Sequence, residues 1–420
     1  MASASRIEDF ADDFDPFTAL LTIGGEGHIT RPLEDLALLR RKAPVVEGDL
    51  HEQLGAPRQL TLGNLTKSYM VLGFNVCNEV LGNHQDYSNA IYQLSVGTTF
   101  GKSITTMDAP DHPKYRRLLQ SAFTPKMMDG LRPRFEARID SIVAKFEKNG
   151  KAELVGELAR HFPFQFICDL LDLPTEDRPI FQKLATAQTC VMFDKAHGTE
   201  ASEKLGRYLT VLIAERRALN SDTDMMSVLA NATIEGGERL PDDVILGFFR
   251  QLMNAGGDTS YHGFSNILAV LFTSQDQLEA IRRDRSLIAA AIEEGLRWGG
   301  PLTTIDRIAT RDLTLGGVPI EANAVMRVCI AAANRDESIW PDPDKFDIFR
   351  EKKRHLAFGY GPHVCVGQHL ARMELQIALN TLLNRLPNVR LDPDRPPPVI
   401  HGLTFRGANA VHVKWEGAGR

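Results

Sequence analysis

Hydrophobic residues recur at intervals of three and four between about residues 110 and 300, and few stretches there alternate as a strand does. This spacing places apolar side chains on one face of a helix. It predicts helices over residues 131–146, 201–218 and 286–298. The middle of the chain is therefore expected to be mostly helical.

Alternating or β-branched stretches occupy residues 58–72, 313–328 and 399–415, and such stretches are typical of strands. The predicted fold class is therefore mainly α with small β-sheets. No internal repeat, low-complexity tract or long glycine- and serine-rich linker divides the sequence. We expect residues 1–420 to form a single domain, with residues 1–30 as a partly irregular N-terminal extension.

The longest helical pattern covers residues 241–272, and a helix there would cross the whole domain. Its middle reads NAGGDTS, and each glycine inside a helix costs about 1 kcal/mol relative to alanine. The pair Gly256 and Gly257 has two explanations. Either it allows another helix to pack closely, or it leaves space for a flat ligand or a small molecule beside Asp258 and Thr259.

Composition and charge exclude several classes of protein. A hydrophobic content of 43% over 420 residues is enough for a large core, so the chain is not disordered. The net charge of −6 gives no general attraction to nucleic acids or anionic membranes. The N-terminus is acidic where a signal peptide is basic, and its apolar run, residues 17–23, is too short to span a bilayer. We expect a soluble, cytoplasmic monomer without a membrane anchor.

The five cysteines are widely spaced and include no Cys-x-x-Cys pair, which leaves out zinc ribbons, iron–sulfur clusters and a disulfide framework. Cys365 is distinctive because it lies in the segment HLAFGYGPHVCVGQHLARME, residues 355–374. Glycines flank it, and helical periodicity follows to about residue 386. Cys365 is therefore expected at a helix N-terminus, where the dipole and free N–H groups stabilise a thiolate.

Three hypotheses for Cys365 stay open on this pattern alone. It is a buried structural residue, a nucleophile with His363 as its base, or the axial ligand of a haem iron. The haem hypothesis makes further demands on the sequence. It needs cations for two propionates, a helix on the opposite face of the haem, and support for the cysteine loop.

Candidate cations are present. His112 and Arg116 are four residues apart and share one face of a helix that is expected to start at Asp108 and Pro110. Arg307 offers a third donor, whose guanidinium suits a carboxylate. Taken alone, a His/Arg pair at this spacing is usually a solvated surface, so these residues count only together with the cysteine loop.

A candidate support for the loop is also present. Glu294 and Arg297 are three residues apart on the helix predicted to end near residue 298, and Arg350 follows later in the chain. An exposed ion pair of this kind stabilises a protein little. A buried network of the three residues would instead hold a neighbouring loop in place.

Together these patterns resemble the cytochrome P-450 family of haem-thiolate monooxygenases, in its soluble bacterial form. The resemblance covers nearly the whole chain and depends on six segments in the family's order. These are residues 107–116, 255–259, 294–297, 333–336, 346–350 and 358–367, the last reading FGYGPHVCVG. Any one segment has little weight, but their joint occurrence is highly specific.

The resemblance implies a haem b cofactor (iron protoporphyrin IX), with Cys365 as the metal ligand. The residues that it implies around the cofactor are Cys365, His112, Arg116, Arg307, His363, Phe358, Gly256 and Gly367. It implies that Glu294, Arg297 and Arg350 brace the cysteine loop. It also implies that Asp258 and Thr259 are the catalytic pair, which delivers protons during dioxygen activation.

The resemblance further implies an external electron donor. The sequence has no nicotinamide- or flavin-binding G-x-G-x-x-G motif, so a ferredoxin or flavodoxin with an NAD(P)H-dependent reductase is expected. Lys352, Lys353, Arg354 and Arg117 would form a basic docking patch for such a partner. A merely solvated run of charges explains these residues equally well.

The implied substrate is a small hydrophobic molecule, such as a terpenoid, a steroid or a fatty-acyl compound. The residues expected to line its pocket are Ile91, Tyr92, Val96, Phe100, Leu252, Met253, Ala255, Thr303, Ile305 and Thr404. Two alternative functions remain at this point. One is a haem-thiolate enzyme that uses peroxide, and the other is a haem-binding protein without enzymatic activity.

Overall fold

The computed structural model describes residues 5–23, 29, 31–56, 67–121, 123–192, 194–234 and 237–416. Its helices are α1 Pro16–Ile23, α2 Pro32–Lys42, α3 Leu50–Gln53, α4 Phe74–Gly82, α5 Gly97–Phe100, α6 Asp111–Ser121, α7 Pro125–Val143, α8 Phe162–Leu170, α9 Arg178–Thr189, α10 Lys195–Leu219, α11 Met225–Ala230, α12 Asp242–Met253, α13 Thr259–Thr273, α14 Gln275–Arg283, α15 Ile288–Gly299, α16 Ile330–Ala333 and α17 Gln368–Arg385. Its strands are β1 Val45–Glu47, β2 Ser68–Val71, β3 Tyr87–Ser88, β4 Lys151–Glu153, β5 Ile305–Ala309, β6 Leu313–Leu315, β7 Val318–Ile320, β8 Val325–Val328, β9 Arg390–Leu391, β10 Ile400–His401, β11 Gly407–Ala408 and β12 His412–Lys414. The predicted fold class, mainly α with small sheets, is confirmed.

The three helices predicted from apolar spacing are present. Residues 131–146 fall in α7 and the turn after it, residues 201–218 in α10, and residues 286–298 in α15 and the short 3₁₀ turn before it. Side-chain caps help to fix where helices begin, because the first N–H groups of a helix lack partners within it. Thr124 accepts a hydrogen bond from the N–H of Met127 at the start of α7, and Asp194 does so from His197 at the start of α10.

The largest sheet has five strands in the order β1-β2-β8-β5-β3. Its β2–β8 pair is parallel and the other pairs are antiparallel. Within β5, Arg307 lies opposite Met326 of β8, so the sheet fixes the position of this predicted cation. Of the predicted strand at residues 58–72, β2 forms the end, while residues 57–66 lie outside the described residues. The other two predicted stretches contain β6 to β8 and β10 to β12.

The long helix predicted over residues 241–272 is present as α12 and α13, which a π-helical turn, Asn254–Asp258, joins without a break. The two glycines in this turn face α8. A Cβ atom on Gly256 would lie 2.7 Å from Cδ1 of Ile167, and one on Gly257 would lie 2.5 Å from the ring of Phe164. The glycine pair is therefore explained by close helix packing, the first of the two explanations that the sequence allowed.

Two hydrophobic cores meet at the cysteine loop. The larger core joins α7 to α15 with α17, and the smaller one lies against the five-stranded sheet. Phe358 packs against the larger core and Leu356 belongs to the smaller one. Both cores therefore hold the segment that precedes Cys365.

The N-terminal segment contains one short helix, α1, and an irregular stretch before it. Ile7 and Phe10 in this stretch are buried, with 4% and 7% of their surface exposed, so it is part of the packed structure. Residues 1–4, 24–28 and 30 of the predicted extension lie outside the described residues. In the part of the chain that is described, no helix is long and apolar enough to cross a membrane.

Candidate active site

A tight loop presents Cys365 just before α17 begins, as predicted. The loop closes because the N–H of Cys365 donates a hydrogen bond to the carbonyl of Phe358, at 2.8 Å. Gly361 has a φ of +73°, and a Cβ atom there would lie 2.3 Å from the carbonyl oxygen of Leu81. The loop therefore requires glycine at this position, both for its backbone conformation and for its close approach to α4.

Cys365 is the one exposed cysteine of the five, all of which are described; the other four are buried. Even so, surrounding protein raises the pKa of its thiol, although the N–H of Gly367 and the charges of Arg116 and Arg372 act to lower it. The exposed surface of Cys365 and the raised pKa of its thiol are both explained if the sulfur faces a space inside the molecule rather than bulk water. The sequence predicted a lowered pKa, and this is wrong because desolvation outweighs the loop's donors.

His363 does not act as a base for Cys365 in this arrangement. Its Nδ1 lies 3.1 Å from the side-chain nitrogen of Asn89, and its Nε2 lies 3.9 Å from Asp108. Burial and the neighbouring His112 lower the pKa of His363 to about 2. A nucleophilic cysteine needs a base within hydrogen-bond reach, and both nitrogens of this ring are directed at other residues.

The predicted cations do come together. His112, Arg116 and Arg307 are all buried, with 3%, 9% and 4% of their surface exposed, and the rings of His112 and His363 lie 3.8 Å apart. Arg116 donates to the carbonyl of Val364, next to the cysteine. Burial and the charge of Arg116 lower the pKa of His112 to about 4, and its Nε2 has no hydrogen-bond partner among the described residues.

This cluster has a chemical consequence. Buried cationic groups are stable when an opposite charge or a hydrogen-bond acceptor reaches them. Asp108 is the carboxylate beside His363, while the neighbour of Arg307, Asp306, is paired with Arg327 at 2.8 Å. Among the described residues, Asp108 is therefore the one carboxylate left near the two guanidinium groups of Arg116 and Arg307. His112 and His363 are neutral at pH 7, and the unpartnered Nε2 of His112 offers a further contact. The residues fit a ligand that brings its own carboxylates, as the propionates of haem do.

Two residues of this cluster were not recognised from the sequence. Tyr92, which was expected in the apolar pocket, accepts a hydrogen bond from the N–H of Asp306 at 2.8 Å, and it acts electrostatically on Arg307. Asn89 contacts His363. No motif marks either residue, because both reach the site through the folding of the segment before α5.

The predicted support network is present and buried. Arg297 donates two hydrogen bonds to the carboxylate of Glu294, at 2.7 and 2.8 Å, and Arg350 donates to it at 3.3 Å. Arg297 also donates to the carbonyl of Asn334, whose side chain accepts the N–H of Leu356 at 2.6 Å. The network therefore connects to the cysteine loop through Asn334.

A second ion pair supports the same loop and was missed by sequence reasoning. Arg372 of α17 donates to Glu293 at 2.6 and 3.0 Å, and its guanidinium lies 4.3 Å from the centre of the Phe358 ring. Burial opposes the charge of Glu293, but His355 and Arg372 outweigh it and lower its pKa to about 2. Glu293 and Arg372 are far apart in sequence, so no motif indicated that they form an ion pair.

The middle of the long helix carries the predicted proton-transfer pair. Ala255 is exposed, and the hydroxyl of Thr259, one turn later, donates to its carbonyl at 2.7 Å. Asp258 is 7% exposed, and burial raises its pKa to about 7. Its Oδ2 has no hydrogen-bond partner in the described part of the chain.

The residues expected to line a substrate pocket differ in exposure. Ala255 is exposed and Tyr92, Val96, Ile305 and Thr404 are half-buried, whereas Ile91, Phe100, Leu252, Met253 and Thr303 are buried. Met253 has no exposed surface and belongs to the larger core, and Ile91 packs with Val325. Their burial does not support a lining role for these two residues.

The expected basic patch borders a concavity of about 430 Å³ beside the cysteine loop. Lys353, Arg354, Tyr360 and Arg372 are among its lining residues. Arg354 stacks on the Tyr360 ring at 3.9 Å, and Lys352 and Arg117 are exposed. The described residues contain no group of three or more His, Cys, Asp or Glu side chains that could hold a metal ion, so Cys365 has no companion ligands of that kind.

Comparisons with known proteins show which family the chain belongs to. Residues 192–408 match the family model described as cytochrome P-450. The chain is 32% identical to the cytochrome P-450 monooxygenase PikC of Streptomyces venezuelae, over 83% of this chain and 85% of that protein. It is 34% identical to the vitamin D(3) 25-hydroxylase of Pseudonocardia autotrophica, over 68% and 70%. The crystal structure of CYP109E1 from Bacillus megaterium in complex with testosterone is similar in fold, with a TM-score of 0.80, 27% identity, and coverage of 92% of this chain and 99% of that one.

Proposed function

The chain belongs to the cytochrome P-450 family and is a cytochrome P-450 monooxygenase, and on this premise we propose that it hydroxylates a small hydrophobic molecule with electrons from a separate redox protein. The observation that carries the proposal is the position of the exposed Cys365 thiol close to the buried guanidinium groups of Arg116 and Arg307 and the unpartnered Nε2 of His112. A haem-thiolate cofactor follows from the family, and haem b is its proposed form.

Cys365 supplies the sulfur ligand in this proposal. When bound, a haem ligated by thiolate supplies an electron-rich iron that activates dioxygen. His112, Arg116, Arg307 and His363 hold the two propionates. The raised pKa of the Cys365 thiol is compatible with this role, because coordination to a metal ion deprotonates a thiol outright.

Asp258 and Thr259 supply the protons for dioxygen activation in this proposal. The pKa of about 7 for Asp258 allows this group to release and regain a proton near neutral pH, which is the property required of a general acid. Thr259 is half-buried beside the exposed Ala255, and its hydroxyl donates a hydrogen bond to the carbonyl of Ala255. This pair favours the use of dioxygen over the use of peroxide, since peroxide already carries its protons.

A hydrophobic substrate is supported by the molecules named for one relative and for one related structure. The relative is named for the hydroxylation of vitamin D(3), and the related structure contains testosterone. Both compounds are compact and largely apolar. The proposed class for this chain is therefore terpenoid, steroid or fatty-acyl-like molecules.

An external ferredoxin or flavodoxin is proposed to dock over the concavity beside the cysteine loop, with an NAD(P)H-dependent reductase behind it. The double charge reversal Lys353→Glu with Arg354→Glu should slow electron transfer, most strongly at low salt where screening is weak. Stopped-flow reduction by ferredoxin measures this rate. Lys151→Glu, an exposed charge outside the concavity, is the control. An unchanged rate at low salt would identify residues 352–354 as a merely solvated charge run.

The proposed cofactor site is tested by the absorption spectrum of dithionite-reduced protein with carbon monoxide. Wild type should show a strongly red-shifted Soret band, and Cys365→Ala should lose it. Hydrophobic compounds that shift the spin state of the wild-type haem are then candidate substrates. Folded wild-type protein that takes up no haem when supplied with it would contradict the proposal.

A further inference from the structure

The long helix carries a guanidinium group whose charge nothing in the described chain compensates. Arg250 belongs to α12, one turn before the π-helical turn. Its Nε is buried and has no hydrogen-bond partner among the described residues. Burial lowers the pKa of this group, and no neighbouring charge acts on it. Because a guanidinium remains charged at neutral pH and is costly to bury alone, Arg250 needs a partner from outside the chain.

Two glycines make room for this guanidinium. Gly206 lies within the 25-residue helix α10, and a Cβ atom there would overlap Nη2 of Arg250. Gly101 follows α5 directly, and a Cβ atom there would lie 4.0 Å from Nη1. Glycine inside a helix destabilises it relative to alanine. The chain therefore tolerates an unfavourable helical residue where a larger one would displace the guanidinium.

The charged groups nearest to this niche are already paired. Lys102 pairs with Asp243 at 2.9 Å, and Arg207 pairs with Glu8 at 3.3 Å, all four at the surface. Arg250 is half-buried instead, and only its Nε is among the fully buried polar atoms without partners. Its two terminal nitrogens thus keep accessible surface. The guanidinium is enclosed at its base and open to a ligand at its tip.

The niche adjoins the part of the long helix that is exposed to the open space. Ala255 follows Arg250 by five residues, which is roughly 7 Å along a helix. Gln251, between them, donates a hydrogen bond to the hydroxyl of Thr105, so the segment after α5 borders this whole stretch. A fatty-acyl chain or a terpenoid ring system is longer than that distance. One end of such a molecule can therefore contact Arg250 while the remainder lies beside Ala255.

We propose that Arg250 binds a carboxylate of the substrate, so that the substrate is a hydrophobic acid rather than a neutral molecule. The inference rests on the proposed function, whose substrate classes include both acids and neutral compounds. A guanidinium binds a carboxylate through two parallel hydrogen bonds, and partial exclusion of water strengthens the attraction. Arg250 is in this way a specificity-determining residue, which fixes the acidic end of the substrate.

The test compares two hydrophobic acids with their neutral methyl esters: dodecanoic acid with methyl dodecanoate, and abietic acid with methyl abietate. Binding to the haem-loaded chain is measured by the spin-state shift and, independently of the haem, by the rise in unfolding temperature. Wild type should bind at least one acid about tenfold or more tightly than its ester, as expected for a hydrogen bond to a charged group. Arg250→Gln should lose this preference through weaker binding of the acid, with the ester unaffected.

Three further variants make the result specific. Arg250→Lys keeps the charge and should retain part of the preference. Arg207→Gln removes an exposed guanidinium one residue after Gly206, and as the matched control it should behave as wild type. Gly206→Ala displaces the guanidinium of Arg250 without removing its charge. It should weaken binding of the acid alone, and it replaces Arg250→Gln if that variant does not fold.

The outcomes separate this inference from the proposed function. Wild type that binds neither acid more tightly than its ester would overturn carboxylate binding, and so would an unchanged preference in Arg250→Gln. Folded protein that takes up no haem would instead overturn the proposed function. In that case the unfolding temperatures with acid and ester would still show whether Arg250 binds a carboxylate.

Discussion

Asp258 and Glu294 are both buried carboxyl groups, but their surroundings differ. Glu294 accepts hydrogen bonds from Arg297, Arg350 and the N–H of Asp347, so its charge is fully compensated. Asp258 has an unpartnered oxygen and a pKa raised by burial to about 7. A compensated carboxylate holds structure, whereas one that titrates near neutral pH is suited to proton transfer.

The raised pKa of Asp258 predicts a dependence of stability on pH. Its folded pKa of about 7 lies above the ordinary aspartate value of 3.8, so folding favours the protonated form. The contribution of this group to stability is therefore present at low pH and is lost as the pH rises between these two values. Denaturant unfolding over that range should show a decline in wild type that is smaller in Asp258→Asn. Parallel pH profiles for the two proteins would contradict the assignment.

Thr259 gives a second prediction at this scale. The Thr259→Ala variant should bind substrate normally, because the change removes only a hydroxyl and a methyl group. It should divert electrons from NAD(P)H to hydrogen peroxide. The measurement is the ratio of product and peroxide to NAD(P)H consumed. Thr259→Ser keeps the hydroxyl and serves as the control. Undiminished coupling in the alanine variant would remove Thr259 from proton delivery.

One turn of the long helix both packs closely against α8 and carries Asp258. Its π-helical turn, Asn254–Asp258, places glycines toward α8 and Asp258 toward the end of α9, while Ala255 remains exposed. Such π-turns occur frequently at functional sites because they shift the faces that a helix presents. Close packing on one side of the turn thus accompanies the proposed proton-transfer residues on another.

The packing of this turn is testable by Gly257→Ala. The added Cβ would lie 2.5 Å from the Phe164 ring, so the variant should lose about 1–3 kcal/mol of unfolding free energy through overpacking. Gly130→Ala on α7 is the control, because nothing lies within 4 Å of its Cβ position. That variant should gain up to about 1 kcal/mol, since alanine favours helix over glycine. Equal stability of both variants in urea unfolding would contradict the packing explanation.

At the scale of the whole molecule, the irregular N-terminal segment ties α9 and α10 together. The N–H of Arg6 donates to Asp177 at 2.8 Å, and its guanidinium pairs with Glu215 of α10 at 2.9 Å. Asp9 pairs with Lys183 of α9 at 2.9 Å. α9 also packs against the π-helical turn of the long helix, and α10 packs against α5, so the N-terminal segment helps to hold that side of the molecule together.

One of these contacts is expected to depend on pH. Burial opposes protonation of His197, but its hydrogen bonds to Asp12 and Asp194 outweigh burial and raise its pKa. The stabilisation that protonated His197 provides is therefore complete below the pKa of this residue in the unfolded chain. It is lost as the pH rises through the pKa of His197 in the folded protein. The protection of the amides of residues 6–14 against hydrogen exchange, taken relative to the intrinsic rate at each pH, should be higher on the acidic side of this transition. His197→Gln should remove the difference, and protection independent of pH in wild type would contradict the prediction.

The sequence by itself determined the features that depend on neighbours along the chain. Apolar spacing specified the helices, glycines around Cys365 specified the loop, and the three-residue spacing of Glu294 and Arg297 brought both onto one helix face. Family resemblance added the roles of these residues. Short-range geometry is enough for such features, because backbone conformation and helix periodicity fix them locally.

Only the tertiary structure decided what lies across from each residue. It directed Gly256 and Gly257 to α8, brought Tyr92 beside Arg307, and buried Met253 in the core. It also raised the pKa values of Cys365 and Asp258, since desolvation depends on elements that are distant in sequence. Packing between such elements sets burial and charge compensation, and neither quantity can be read from the local sequence.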